Sequence, residues 1–253
     1  MYKEKNSSSI HGIPVLKDNI IWIWVKGEEA VVIDPSIAKP VELWLKKQNL
    51  KLAGVLQTHH HDDHIAGTKD LIKQWPNSPV VASSADRYRI PFQTISVAGG
   101  DELNLMGSTI KVLDVAGHTN AHVAYYLAPE EADNNEASIF CGDTLFGGGC
   151  GRLFEGTAEE MYKALSLLKA LPDQTKVYCA HEYTQSNLQW ALSIYPKDLS
   201  IKRRLSRVIE LRRKGLLSIP TTILEEKETN LFMRARNVEE FCVLRLHKDN
   251  WKK

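Results

Sequence analysis

The sequence predicts an α/β domain over residues 1–181 followed by a small all-helical domain over residues 182–253. Up to residue 181, strand-sized runs rich in Val, Ile and aromatics alternate with amphipathic helical patterns. After His181 the β-rich runs stop and helical periodicity takes over. The third observation concerns chemistry: the run Thr58-His59-His60-His61-Asp62-Asp63-His64 directly follows the apolar segment Ala53-Gly54-Val55-Leu56-Gln57.

Taken in order, the strand candidates are residues 20–25, 30–34, 53–58, 79–82, 109–115, 123–127, 138–141 and 176–179, most of them bounded by Gly, Asp, Asn or Pro. Helical patterns fall at 39–47, 66–75 and 158–170. The last opens with Thr157 and Glu160, the spacing of a capping box, and Met161, Leu165 and Leu168 share one face. Beyond residue 181, helices are expected at 187–195, 201–214 and 238–251, with a polar stretch at 220–236. Ile201, Leu205, Val208 and Leu211 give the second of these a single apolar stripe, and Gly215 stops it.

Composition narrows the class. The chain has 253 residues, 43% hydrophobic and 25% charged, with a net charge of +1, as expected of a soluble globular protein. Residues 1–6 are charged and polar, no apolar run follows them, and no run is long enough to span a bilayer, so a cytoplasmic protein without a secretory signal is expected. Cys141, Cys150, Cys179 and Cys242 are widely spaced without a C-x-x-C, which fits reduced, buried thiols better than a disulfide frame. The basic excess lies in the C-terminal part, but the Lys202 to Lys214 cluster carries no interleaved aromatics; it reads as a solvated helix face, not a nucleic-acid footprint. Nothing in the sequence demands more than a monomer.

The histidine run reads as H-x-H-x-D-H and offers His59, His61, Asp63 and His64 as metal ligands. His118, Asp143 and His181 each follow an apolar stretch, in Gly117-His118-Thr119, Gly142-Asp143-Thr144 and Ala180-His181-Glu182. Strand ends are where layered α/β folds build their sites. If the backbone after residue 58 stays extended, His59 and His61 point the same way, while His60 and Asp62 point elsewhere. His11, His122 and His247 lack the strand-end context and are read as ordinary residues. A catalytic ion takes about three protein ligands and keeps one position open, so five imidazoles and two carboxylates suggest two divalent ions with a carboxylate between them. Zinc is the expected metal, and His/Asp sites also accept iron or manganese.

The H-x-H-x-D-H run, Gly117-His118-Thr119, Gly142-Asp143-Thr144 and His181 resemble the metallo-β-lactamase fold superfamily, which implies an αββα sandwich with a two-metal site at one edge. The segments Gly149-Cys150-Gly151-Arg152-Leu153-Phe154-Glu155-Gly156-Thr157, Ala180-His181-Glu182-Tyr183-Thr184, Asn230-Leu231-Phe232-Met233-Arg234 and Arg245-Leu246-His247-Lys248-Asp249 resemble the glyoxalase II (hydroxyacylglutathione hydrolase) family over essentially the whole chain. That resemblance implies a first metal on His59, His61 and His118, a second on Asp63, His64 and His181, and Asp143 as the bridge. It implies a catalytic role for Asp63 and Asp143, and glutathione contacts from Arg152, Tyr183, Arg245 and Lys248. The implied reaction, the second step of methylglyoxal detoxification, is hydrolysis of S-(2-hydroxyacyl)glutathione, chiefly S-D-lactoylglutathione, by a hydroxide held between two metals. A one-iron glutathione-persulfide dioxygenase of the same superfamily is the alternative. Some family members have Lys and Tyr where this chain has Arg152 and Phe154, and the family often has Tyr where this chain has Ile20.

Overall fold

The first sheet of the computed structural model is built from β1 (Ser8–Val15), β2 (Asn19–Lys26), β3 (Glu29–Ile33), β4 (Lys51–Leu56), β5 (Val80–Ser83) and β6 (Ile95–Val97), lying side by side in that order. Helix α1 (Ala38–Gln48) links β3 to β4, and α2 (Asp62–Ile65) and α3 (Thr68–Gln74) link β4 to β5. The second sheet follows, with β7 (Glu102–Leu105), β8 (Ser108–Asp114), β9 (Val123–Leu127) and β10 (Ser138–Gly142); β11 (Leu145–Phe146) and β12 (Gly149–Cys150) form a separate hairpin. Helix α4 (Ala158–Lys169) leads to β13 (Lys176–Cys179), then come α5 (Thr184–Ile194), α6 (Leu199–Arg213), β14 (Thr221–Thr222), α7 (Ile223–Thr229), α8 (Leu231–Arg234) and α9 (Val238–Asn250). The second sheet runs β14-β13-β10-β9-β8-β7. The structure describes residues 8–129 and 136–252; the N-terminal residues 1–6, expected to hold no secretory signal, lie outside the described residues.

Strand β2 reads as an unbroken apolar run because both its faces are covered. Ile20, Trp22 and Trp24 join Tyr125, Ile139, Phe140 and Val177 of the second sheet in the core between the sheets. Ile21 and Ile23 turn the other way and pack with Val41 and Leu45 of α1 and Leu71 of α3. The helix on the second sheet is α4, whose Met161, Ala164, Leu165 and Leu168 are buried in the intersheet cluster. The expected αββα sandwich is therefore present. The core extends into the C-terminal helices: Trp190 lies flat on Phe232 with ring centroids 5.0 Å apart, and Phe241 is fully buried beside them. Each such aromatic stabilises the docking of these helices by about 2–3 kcal/mol.

The expected helix at 158–170 forms with its capping box complete: the Glu160 amide donates to Thr157 Oγ1 and the Thr157 amide donates to Glu160 Oε2. The helix expected at 66–75 forms as α3, starting at Thr68, and a separate turn, α2, precedes it; Gly67, where a Cβ would stand 2.5 Å from Ala38 N, divides the two. Strands β1, β6 and β7 were not expected because they are sheet edges or half-covered, so their sequences carry no strong apolar pattern. The polar stretch 220–236 holds β14, α7 and α8, each too short for periodicity to reveal, and β14 extends the second sheet by pairing with β13. Cys141, Cys150 and Cys179 are buried as expected, but Cys242 is exposed, because it lies on the solvent side of α9. Among the described residues no helix is long and apolar enough to cross a membrane.

An ion network ties α6 to α7. Arg204 is buried and donates to Glu226, Thr229 and Thr221, and it pairs with Glu225 at 3.3 Å. Burial pushes the Glu225 carboxyl up, but Arg204 and hydrogen bonds from Arg207 and Thr221 outweigh it and hold it below the usual carboxylate range. A depressed folded pKa contributes stability above the unfolded value, about 4.3 for Glu, and that contribution is lost as pH falls through the folded value. Thermal melts from pH 6 down to pH 3 should therefore show a steeper fall in Tm for the natural protein than for Glu225→Gln. Parallel curves would show that this carboxylate carries no acid-linked stability.

Candidate metal centre

The site stands at the ends of the central strands, where β4 runs out into Thr58 and His59. Asp34, at the end of β3, organises this entry. Its carboxylate accepts from the Thr58 amide (2.8 Å), Thr58 Oγ1 (2.6 Å) and His64 Nδ1 (3.0 Å). Since Thr58 gives its hydroxyl proton to Asp34, its oxygen accepts from His59 Nδ1 at 3.0 Å. His118 Nδ1 donates to the Arg152 carbonyl at 2.7 Å, and His181 Nδ1 donates to Asp18 at 2.9 Å. Each of these four imidazoles is held through Nδ1, which leaves an unprotonated Nε2 facing inward in the neutral ring.

The inward nitrogens converge. His59 Nε2 and His118 Nε2 both lie 3.1 Å from His61 Nδ1, and one nitrogen from each of the three rings falls within 4.8 Å of the others. Asp63, His64 and His181 make a second such group. Asp143 stands between the groups: Oδ1 is 3.5 Å from His64 Nε2 and 3.4 Å from His181 Nε2, and Oδ2 is 3.5 Å from His118 Nε2. His64 Nε2 and Asp143 Oδ1 are buried with no hydrogen-bond partner. Convergent lone pairs around orphaned buried atoms are what a divalent cation requires, so the donor set fits one cation per group. Asp34, His59 and His64 also lie close enough to hold an ion. The Asp34 oxygens, however, are already committed to Thr58 and His64 Nδ1, so Asp34 orients the donors instead.

Electrostatics separates the two groups. Burial, reinforced by the neighbouring imidazoles, holds His59 well below its ordinary value, and burial also lowers His61 and His118. Burial pulls His64 and His181 down as well, but Asp143 and hydrogen bonds to carboxylates prevail, raising His64 and taking His181 to about 9. Asp143 itself is held far below the carboxylate range: burial opposes ionisation, and His64, His181 and His118 outweigh it. The second group thus lies among more carboxylates than the first.

Every sequence-predicted metal-site residue comes to this one place. His60 points away as expected, towards Asp86 and Glu155, each at 3.4 Å. Of the expected substrate contacts, Tyr183 stacks on His181, with ring centroids 4.8 Å apart and planes 5° from parallel. Arg152 and Arg245 meet at Asp249, whose Oδ1 accepts from Arg152 Nε (3.3 Å) and from Arg245 Nη2 (2.8 Å) and Nε (3.2 Å). Lys248 lies over the rings of Trp190 and Trp251. Phe154 is exposed and packs edge-on against His61 and His118, so it walls the first group with apolar surface. Ile20 turns into the core and makes no part of the site; its neighbour Asn19 does, donating to Asp63 Oδ2 at 3.1 Å. Sequence reasoning missed Asp18, Asn19, Asp34 and Asp249. Only Asp34 had a usable signal, since it ends a strand candidate as the ligands do.

A model of the metallo-beta-lactamase superfamily matches residues 14–181, and one described as hydroxyacylglutathione hydrolase C-terminus matches residues 182–251. A hydroxyacylglutathione hydrolase of Prochlorococcus marinus (strain MIT 9303) is 58% identical over 249 residues, covering 98% of this chain and 96% of its own. One from Parasynechococcus marenigrum (strain WH8102) is 55% identical, covering 97% of this chain and 98% of its own. Among solved structures, ETHE1 from Myxococcus xanthus superposes with a TM-score of 0.69 at 25% identity, covering 97% of this chain and 92% of its own. A metallo-beta-lactamase from Staphylococcus aureus subsp. aureus COL gives a TM-score of 0.73 at 20% identity, covering 99% of this chain and 69% of its own, and shares the fold. With both halves of the chain matched and close relatives aligned along its whole length, the chain belongs to the hydroxyacylglutathione hydrolase family of the metallo-beta-lactamase superfamily.

Proposed function

We propose that this enzyme hydrolyses the thioester of S-(2-hydroxyacyl)glutathione, chiefly S-D-lactoylglutathione, to glutathione and a 2-hydroxy acid. The observation that carries this is the physical join between the metal centre and the cluster of Arg152, Arg245 and Lys248. The Arg152 carbonyl orients His118, while the Arg152 side chain and Arg245 share Asp249. A substrate carboxylate that takes the place of Asp249 at these guanidinium groups is held beside the donor cluster, and Arg grips a carboxylate in two-pronged fashion. Relatives 53–58% identical carry the hydrolase name, which outweighs the dioxygenase alternative.

His59, His61 and His118 are the residues to hold one divalent ion, Asp63, His64 and His181 the other, with Asp143 between them; zinc is our choice of metal. When bound, such ions polarise a carbonyl and lower the pKa of water to near neutrality. The chain does the rest. Asp34, Thr58, Asp18 and the Arg152 carbonyl fix the imidazoles of His59, His64, His118 and His181 by their outer nitrogens. Asn19 holds the Asp63 carboxylate, which orients the attacking group. Arg152, Tyr183, Arg245 and Lys248 bind the glutathione moiety, and Phe154 keeps water off one side of the acyl group. A thiol with pKa near about 8.5 leaves as thiolate without a strong acid, which suits a site that offers none. Binding falls mainly to the C-terminal helical region and chemistry to the metal domain, dividing near residue 181, with Arg152 reaching from the metal domain to the helices.

The test is turnover of S-D-lactoylglutathione before and after chelation. The metal-loaded protein should hydrolyse it and the chelated protein should not; an inert loaded protein would reject the reading. In the same assay, Arg245→Ala combined with Lys248→Ala should raise KM by about 10- to 100-fold, the loss of two charge-assisted contacts, with metal content unchanged. Metal loss in that variant would make the pair structural instead.

A further inference from the structure

His122 is fully buried and belongs to neither donor group, yet it touches His59 of the first group and Asp143, which stands between the two. Its ring stacks on His59, with centroids 4.6 Å apart and planes 19° from parallel. The Asp143 amide donates to its Nε2 at 3.1 Å. An amide can only donate, so this Nε2 carries no proton, and the ring's hydrogen sits on Nδ1. The group facing Nδ1 is Thr144 Oγ1 at 3.4 Å, which spends its own proton on the Val115 carbonyl at 3.2 Å and so is free to accept. The tautomer is thereby fixed by two partners, both in the Asp143 turn.

The turn is shaped around this ring. Gly142 has φ +48, and a Cβ there would lie 2.8 Å from His122 Cε1 and 2.3 Å from Thr58 Oγ1. A side chain at this position would drive His122 off the turn or the turn off β4. Were packing the only requirement, an apolar residue would fill the place without the cost of burying two polar nitrogens. We infer that His122 is a positioning residue: through Nε2 it holds the backbone of Asp143, and through its face it braces His59, so that the donors of both groups keep one register. This rests on the metal-centre reading above, but not on the identity of the substrate.

The two contacts separate by substitution. His122→Phe keeps the stacked face and loses the acceptor, whereas His122→Gln places an amide oxygen near the former Nε2 and loses the stack. Purified proteins are loaded with zinc, and metal loss to a chelator is timed alongside metal stoichiometry, far-UV circular dichroism and melting. Loss of such an outer partner costs about 10- to 100-fold in metal affinity. His122→Phe should release metal faster by that factor, with His122→Gln recovering most of the difference. In turnover, kcat should fall in His122→Phe while KM stays within about twofold, since the cluster of Arg152, Arg245 and Lys248 is untouched. If His122→Phe does not fold, Thr144→Val, which removes the Nδ1 acceptor, should show the same acceleration in weaker form. Metal release at the natural rate from folded His122→Phe, or from Thr144→Val where the Phe variant fails, overturns the inference. So does a folded His122→Gln that behaves no better than His122→Phe. If the metal pattern holds while S-D-lactoylglutathione is not turned over by the natural protein, the positioning role stands and the proposed substrate falls.

Discussion

Asp143→Asn should lower kcat for the thioester by about three orders of magnitude, about 4 kcal/mol of transition-state stabilisation, and should leave the protein short of metal. The expectation comes from what the carboxylate faces. Its two oxygens reach the inner nitrogens of three histidines from both donor groups, at 3.4–3.5 Å. It is almost completely buried and strongly favoured as an anion. Asparagine preserves volume and removes the charge shared between the groups, so Asp63 is left as the one donor carboxylate among five imidazoles. Metal analysis and steady-state kinetics on the folded variant check this together. Full metal content with kcat within tenfold of the natural protein would mean that Asp143 is a neighbour of the site and not its link.

Glu226→Ala should destabilise the protein by about 3–5 kcal/mol, the range for stripping one partner from a buried ion pair, and lower Tm by about 10 °C for a chain of this size. Glu226 has no exposed surface; besides Arg204 it accepts from the Gly148 amide and Asn230 Nδ2. Its removal strands a buried guanidinium and loosens the turn between β11 and β12, the segment that leads into Gly151 and Arg152. Arg204→Met combined with Glu226→Met should recover part of the loss, because no unpaired charge remains, though the Gly148 amide stays unsatisfied. Calorimetry on both variants decides it: a single variant within about 1 kcal/mol of the natural protein would show the network to be dispensable.

The parts that could be read from the sequence are those encoded locally. β2 and β4 declare themselves by apolar runs, α4 by Thr157 and Glu160, and the donors by standing just past strand ends. The strands that went unread are edges such as β6 and β7, and β14 is two residues long; none carries enough covered surface to leave a pattern. His122 was set aside because nothing in its neighbours along the chain marks it, yet its contacts are Asp143 and His59.

The sequence by itself determined an α/β domain with a helical C-terminus and the set of metal-type donors, because strand-end ligands and caps are properties of short segments; the sandwich came from the family resemblance. Tertiary structure alone decided which nitrogen of each imidazole faces inward and that Asp249 joins Arg152 to Arg245. The reason is distance along the chain. Asp34 meets His64 only once β3 pairs with β4, the Arg152 carbonyl meets His118 only once the β11-β12 hairpin folds back, and Asp18 meets His181 only once the two sheets come together. A hydrogen bond between remote segments leaves no trace in the spacing of either one.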